Sequence, residues 1–199
     1  MEKATQSLTH AGFQRYSRSG LWSLFLVCAL PCHVWTLILT LNDVSWVMER
    51  TNAWDALGVI CYGLVFAFFE SVTVFLAIAV LGLLVSAGWD EPRRIALLGL
   101  LVVTAAAWLM CGQAYFLLEL RPPGPLVELA ARSGHPLRLM YAVLLGLIVP
   151  SLLIPALAVL RSDGFSRLVQ AASGRLAVLV QFYLFLDVLG LLIVVIRNV

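Results

Sequence analysis

The run ALGVICYGLVFAFFESVTVFLAIAVLGLLVSA, residues 56–87, decides how this chain folds. It contains no lysine, arginine or proline, and one charged residue, Glu70. A helix rises about 1.5 Å per residue, so the run extends roughly 48 Å, well beyond the ~30 Å hydrocarbon layer of a bilayer. It reads as a membrane-crossing helix that tilts or projects into the interface.

Four further stretches share this character: residues 21–41, 95–118, 139–160 and 176–196, each free of lysine and arginine. About 20 apolar residues suffice to cross a bilayer, so the sequence predicts an all-α, polytopic integral membrane protein. Residues 1–199 then form one transmembrane domain, a single bundle of five transmembrane helices, with residues 1–20 a short cytoplasmic N-terminal segment. The composition agrees: 62% of residues are hydrophobic and 12% charged, against about 25% charged in ordinary soluble domains. The first run follows Lys3, Arg15 and Arg18, but it is longer than a signal-peptide core and lacks a small-residue cleavage site, so it reads as a retained span.

Turn chemistry marks the joints. Asn42 and Asp43 follow the first run, Asn52 and Asp55 stand where caps to the second are expected, and Asp90-Glu91-Pro92 opens the third. The later breaks are RPPGP, residues 121–125, and RSDG, residues 161–164. Pro125 and Gly134 bracket LVELAAR as a short helix, and FSRLVQAA, residues 165–172, reads as a second; both are expected to lie at the interface. Pro150 and Pro155 are expected to kink the fourth span.

Basic residues give an orientation. Lys3, Arg15, Arg18, Arg93, Arg94, Arg161, Arg167 and Arg175 fall on one side, against Arg50, Arg121, Arg132, Arg138 and Arg197 on the other. The positive-inside rule then predicts a cytoplasmic N-terminus and an outside C-terminus. A single lysine against twelve arginines, in a chain rich in Leu, Ala and Val, fits a GC-rich bacterial genome and hence the cytoplasmic membrane. The net charge of +2 and the scattered arginines argue against a nucleic-acid partner.

Function must therefore come from short caps and a few intramembrane polar atoms. Glu70 and Asp187 each fall near the middle of a run with no intramembrane Arg or Lys to pair with. A charge at that depth costs on the order of 2.5–3.5 kcal/mol on insertion scales, so both are expected to face the bundle interior or a partner. Helical spacing puts Tyr62, Phe66, Thr73 and Ala77 on the Glu70 face and Tyr183 and Gly190 on the Asp187 face. His33 lies at similar depth, and Thr104, Trp108, Cys111, Tyr115 and Glu119 form a stripe on the third run. The expected arrangement is a buried polar network, with a proton relay as its functional version, built from Glu70, Asp187, His33, Tyr62, Thr73 and Tyr183. Gly63, Ala67 and Ser71 form a small-residue strip that admits a close helix neighbour.

Chemistry-bearing motifs are sparse. CALPCH, residues 28–33, is one residue too long for a haem-attachment pattern and lies inside an apolar run, so Cys28, Cys32, Cys61 and Cys111 read as buried thiols. No cofactor motif and no metal-ligand spacing is present. The loop acids and bases Asp43, Glu49, Asp55, Glu119, Arg121, Glu128, Arg132 and His135 make no nucleophile or metal signature, and no catalytic residue is assigned. The favoured expectation is a non-catalytic structural or accessory subunit of a membrane assembly, partnered by lipid and by another membrane protein or a second copy. A small proton-coupled transporter or channel using Glu70 and Asp187 is the alternative, and an enzyme acting on a lipid-linked substrate the third.

Overall fold

A computed structural model describes residues 16–84, 88–117 and 123–199. Lys3, Arg15, the end of the second run, Glu119 and Arg121 lie outside them. The described residues form six helices: α1 Arg18–Arg50, α2 Ala53–Leu84, α3 Glu91–Leu117, α4 Gly124–Arg132, α5 Pro136–Arg161 and α6 Asp163–Asn198. All but α4 are long and apolar enough to cross a membrane.

Local chemistry sets the helix ends. Ser17 caps α1 by accepting a hydrogen bond from the Gly20 N–H at 2.9 Å. Asn52 does the same for α2, accepting from the Asp55 N–H at 3.0 Å, while its amide donates to the Asp55 carboxylate at 2.9 Å. Ser162 caps α6 through the Phe165 N–H. Pro125 sits in the first turn of α4, and Gly134, at φ +68°, turns the chain beyond its end, a left-handed conformation glycine adopts without steric cost.

Two expected joints are not joints. The helix α1 continues through Asn42 and Asp43 to Arg50. Neither residue costs more than about 0.7 kcal/mol in a helix, and no Gly or Pro stands beside them to make that decisive. Likewise, residues 165–172 are no separate interfacial helix but the opening turns of the 36-residue α6. Gly174 alone costs about 1 kcal/mol, too little to stop a helix whose opening turns are packed: Phe165 and Val169 lie against Ala96, Leu97 and Val159. The helix α5 runs on through Pro150 and Pro155.

Helix α1 is the hub, contacting α2, α3 and α6, while α5 packs outside on α3 and α6 and carries α4. Half of the apolar stretch of α1 is buried, against 6% for α5. Leu24 and Cys28 meet Leu98 and Val102 of α3, and Leu26 and Ala29 meet Val180 of α6. The predicted strip joins α1 to α2: Ala67 and Ser71 are fully buried, and a Cβ on Gly63 would lie 2.4 Å from the Thr40 methyl. Only glycine lets the backbones come so close there.

Polar contacts tie the two ends of the bundle. At one end the Glu91 carboxylate accepts from Ser17 N–H and Oγ–H at 2.6 and 2.8 Å, Arg93 pairs with Asp163, and the Arg94 guanidinium lies over the Tyr16 ring. At the other, Arg197 pairs with Asp55 at 2.8 Å and stands over Trp54. The long helices thus alternate in direction, and Tyr16 and Val199 lie at opposite ends.

Candidate functional site

The buried polar residues converge where α1, α2 and α6 meet. His33 of α1 is fully buried, and its Nε2 lies 3.1 and 2.9 Å from the two carboxylate oxygens of Asp187 on α6, itself only 6% exposed. The other ring nitrogen, Nδ1, is 2.8 Å from the Ala29 carbonyl one turn back. A carbonyl only accepts, so Nδ1 carries hydrogen. Between Nε2 and the carboxylate there is then one proton, held either as imidazolium with carboxylate or as imidazole with carboxylic acid. In both forms the pair is neutral overall, which is how it is tolerated away from water.

Tyr183, one turn before Asp187, lies parallel to the imidazole at 5.7 Å with the planes 7° apart. Ser71 of α2 closes the third side. Its Oγ is 2.6 Å from the Ala67 carbonyl and 3.5 Å from His33 Nδ1. Ser71, His33 and Asp187 nevertheless make no nucleophilic triad. The serine proton goes to Ala67, and the nitrogen facing it is a donor, not a base.

Glu70 is placed otherwise. It is exposed on the outer face of α2, together with Tyr62, Phe66, Thr73 and Ala77. Thr73 turns its hydroxyl back to the Phe69 carbonyl at 2.9 Å, and Tyr62 receives a hydrogen bond from Asn198 at 2.6 Å. Of the two expected settings for this acid, the bundle interior or a partner, the first is therefore corrected: Glu70 does not face the interior of this chain. The reason is steric: Ser71 follows Glu70, and successive helical residues point about 100° apart. The α1 backbone approaches where side chains are small, so the Gly63, Ala67 and Ser71 face wins and Glu70 turns outward. That strip is consequently occupied by α1 and is not a surface open to a partner.

On the third stripe, Trp108 Nε1 donates to Ser151 Oγ at 2.8 Å and Thr104 to the Leu100 carbonyl, while Cys111 and Tyr115 are exposed. Cys28 and Cys61 are buried, Cys32 half-buried, and all four cysteines are free thiols. Of the loop groups, Glu128 pairs with Arg132 at 3.7 Å and Asp55 with Arg197. Among the described residues, no three His, Cys, Asp or Glu side chains are grouped to hold a metal ion.

Beside the His33–Asp187 pair runs an open groove of about 840 Å³ between α1, α2 and α6, its walls almost wholly apolar, with Asp187 and Arg18 contributing to its lining. The sequence carried no signal for it, because the groove depends on how far apart three helices diverge. Ser71 was legible as a packing residue. Its contact with His33 followed only once the strip was seated on α1.

No family model, no curated protein and no solved structure matches this chain. The functional reading rests on geometry.

Proposed function

We propose that this chain is a polytopic membrane subunit, N-terminus cytoplasmic and C-terminus outside, that assembles laterally with another membrane polypeptide through the outer face of α2. Its five long helices expose large apolar side chains on all sides, for example Phe66 at 69%, Leu109 at 68% and Ile154 at 66%. A water-soluble chain does not tolerate so much. Within a bilayer that surface is satisfied by lipid, save for a few outward polar side chains, among them the Glu70 carboxyl on α2 and the Gln181 amide on α6. The most costly of these, the outward carboxyl of Glu70 near mid-depth, carries the proposal. Acyl chains offer it no hydrogen-bond partner, and a polar group at such depth belongs against protein. A neighbouring helix that brings a hydrogen-bond donor to Glu70 relieves the cost.

Gentle extraction followed by mass measurement of the intact particle tests this. Recovery with a second polypeptide in fixed stoichiometry, lost in Glu70→Leu and retained in Glu70→Gln, is the expected result. A monodisperse single chain from native membranes under the same conditions would overturn it. Two copies of this chain would assign the partner as itself.

A second reading has its own observation. The His33–Asp187 pair holds one proton between two titratable groups at the side of an open groove, an arrangement suited to passing a proton in a coupled transporter. Proton flux in vesicles carrying the purified chain, abolished by Asp187→Asn, is its test. Absence of any flux would leave the pair a purely structural contact.

A further inference from the structure

The groove between α1, α2 and α6 has walls and a charge that together describe an occupant. Along α2 it is lined from Val65 to Leu76, eleven residue rises or about 16 Å. With Arg18 at the start of α1 and Leu191 beyond Asp187 also lining it, the groove runs from the helix end where α1 begins past the depth of Asp187. Its volume, about 840 Å³, lies in the range of sites that enclose a small ligand.

The walls offer an occupant almost nothing but apolar contact. Phe25, Phe68 and Phe75 supply ring faces and edges, with Phe25 and Phe75 in edge-to-face contact at 5.7 Å. Asp187, the polar residue partway along the groove, already faces His33. That leaves Arg18 at the outer end. Its guanidinium is exposed and enters no ion pair with the described residues. Trp22, one turn deeper, is stacked on Phe25 at 5.5 Å, at the level where aromatic belts meet lipid headgroups. From Arg18 to His33 along α1 is about 22 Å, so an anion at Arg18 stays far from the Asp187 carboxylate.

We infer that this groove binds an anionic phospholipid, one acyl chain lying between α1, α2 and α6 and the phosphate held by Arg18. The planar guanidinium fork matches two phosphate oxygens, a recognition that a zwitterionic headgroup weakens with its own cation. The site is independent of the Glu70 face, which lies on the other side of α2.

The test uses the full chain in vesicles of phosphatidylcholine, with spin-labelled phosphatidylglycerol or spin-labelled phosphatidylcholine as the probe, the label near the end of the acyl chain. Phosphatidylglycerol is expected to show a several-fold higher affinity for the immobilised site. Arg18→Gln is expected to bring that ratio to about one, while Arg161→Gln, which removes an exposed arginine at the same end but away from the groove, leaves it unchanged. Val72→Trp and Leu76→Trp, which fill the groove at two depths, are expected to lower the immobilised fraction of both probes. Leu76 is 56% exposed, so its replacement tests occupancy even where Val72→Trp disturbs packing. Equal affinity of the two probes in the unaltered chain would overturn the inference. So would an equal loss of preference in Arg161→Gln, or an immobilised fraction unmoved by Leu76→Trp.

Discussion

Asp187 and Glu70 are the two carboxyls near the middle of apolar helices, and the bundle treats them oppositely. Asp187 is buried 2.9 Å from His33, with Tyr183 and Ser71 around the imidazole. Glu70 stands on the outer face of α2, beside Phe66 and Thr73. The difference lies in neighbours, because both acids face the same cost of leaving water. Asp187 follows Tyr183 by one turn and precedes Gly190, a glycine that lets α6 reach the Cys61 carbonyl region of α2. Glu70 sits beside, not on, the strip that α1 uses. A carboxyl is brought inside when close backbone approach and its own direction coincide, and left outside when they diverge.

The largest effect expected from breaking this contrast comes from the strip. Gly63→Leu would force α1 off α2, since even a Cβ there meets Thr40 at 2.4 Å. Overpacking of this kind costs typically about 1–3 kcal/mol and sometimes more. A lowered thermal midpoint of the detergent-purified chain, with solvent or lipid reaching His33, is the expected readout. An unchanged midpoint would mean that the strip does not set which face is buried.

Asp187→Leu is next. It leaves His33 Nε2 without a partner in a closed site, at about 1–3 kcal/mol for an unsatisfied buried polar group. Asp187→Asn keeps an acceptor and is expected to lose much less, near the ~0.6 kcal/mol average of polar contacts inside a membrane protein. His33→Leu combined with Asp187→Leu should recover most of the loss, since an apolar pair needs no partner. Thermal midpoints of the singles and the double form a cycle that reads the coupling; strict additivity would show that the two side chains do not interact.

Asp55→Asn, which weakens the pair with Arg197 at the opposite end of the bundle, is expected to shift the midpoint less than any of these, and less still in high salt. A loss as large as that of Asp187→Leu would make the α2–α6 end contact, not the interior pair, the main fastening. The smallest effect of all belongs to Glu70→Leu: in the isolated chain, a stability within about 0.5 kcal/mol of the parent, as at most exposed positions. A marked destabilisation would place Glu70 against protein within its own chain.

Much of this was legible in the sequence because it depends on local or one-dimensional signals. The five apolar runs, the Asn52–Asp55 cap, the Pro125 start and Gly134 turn, and the close packing of Gly63, Ala67 and Ser71 all follow from spacing and side-chain size. Asn42 and Gly174 end no helix, since residues of modest propensity do not stop a helix that packs. The pairing of His33 with Asp187 joins positions 154 residues apart, and helical periodicity gives each residue a face without saying which face meets which. The outward turn of Glu70 arose from a competition between two adjacent faces of α2. Charge cost asks for a protein partner without saying whether that partner is this chain or another.

The measurement that bears most directly on the account places a photoreactive residue at Phe66, 69% exposed on the Glu70 face, and another at Leu153, 55% exposed on α5, and irradiates both in native membranes. Phe66 is expected to crosslink to one discrete polypeptide, Glu70→Leu to remove this product, and Leu153 to yield only lipid adducts. Lipid adducts alone at Phe66, or a protein product indifferent to Glu70→Leu, would contradict the proposed lateral contact.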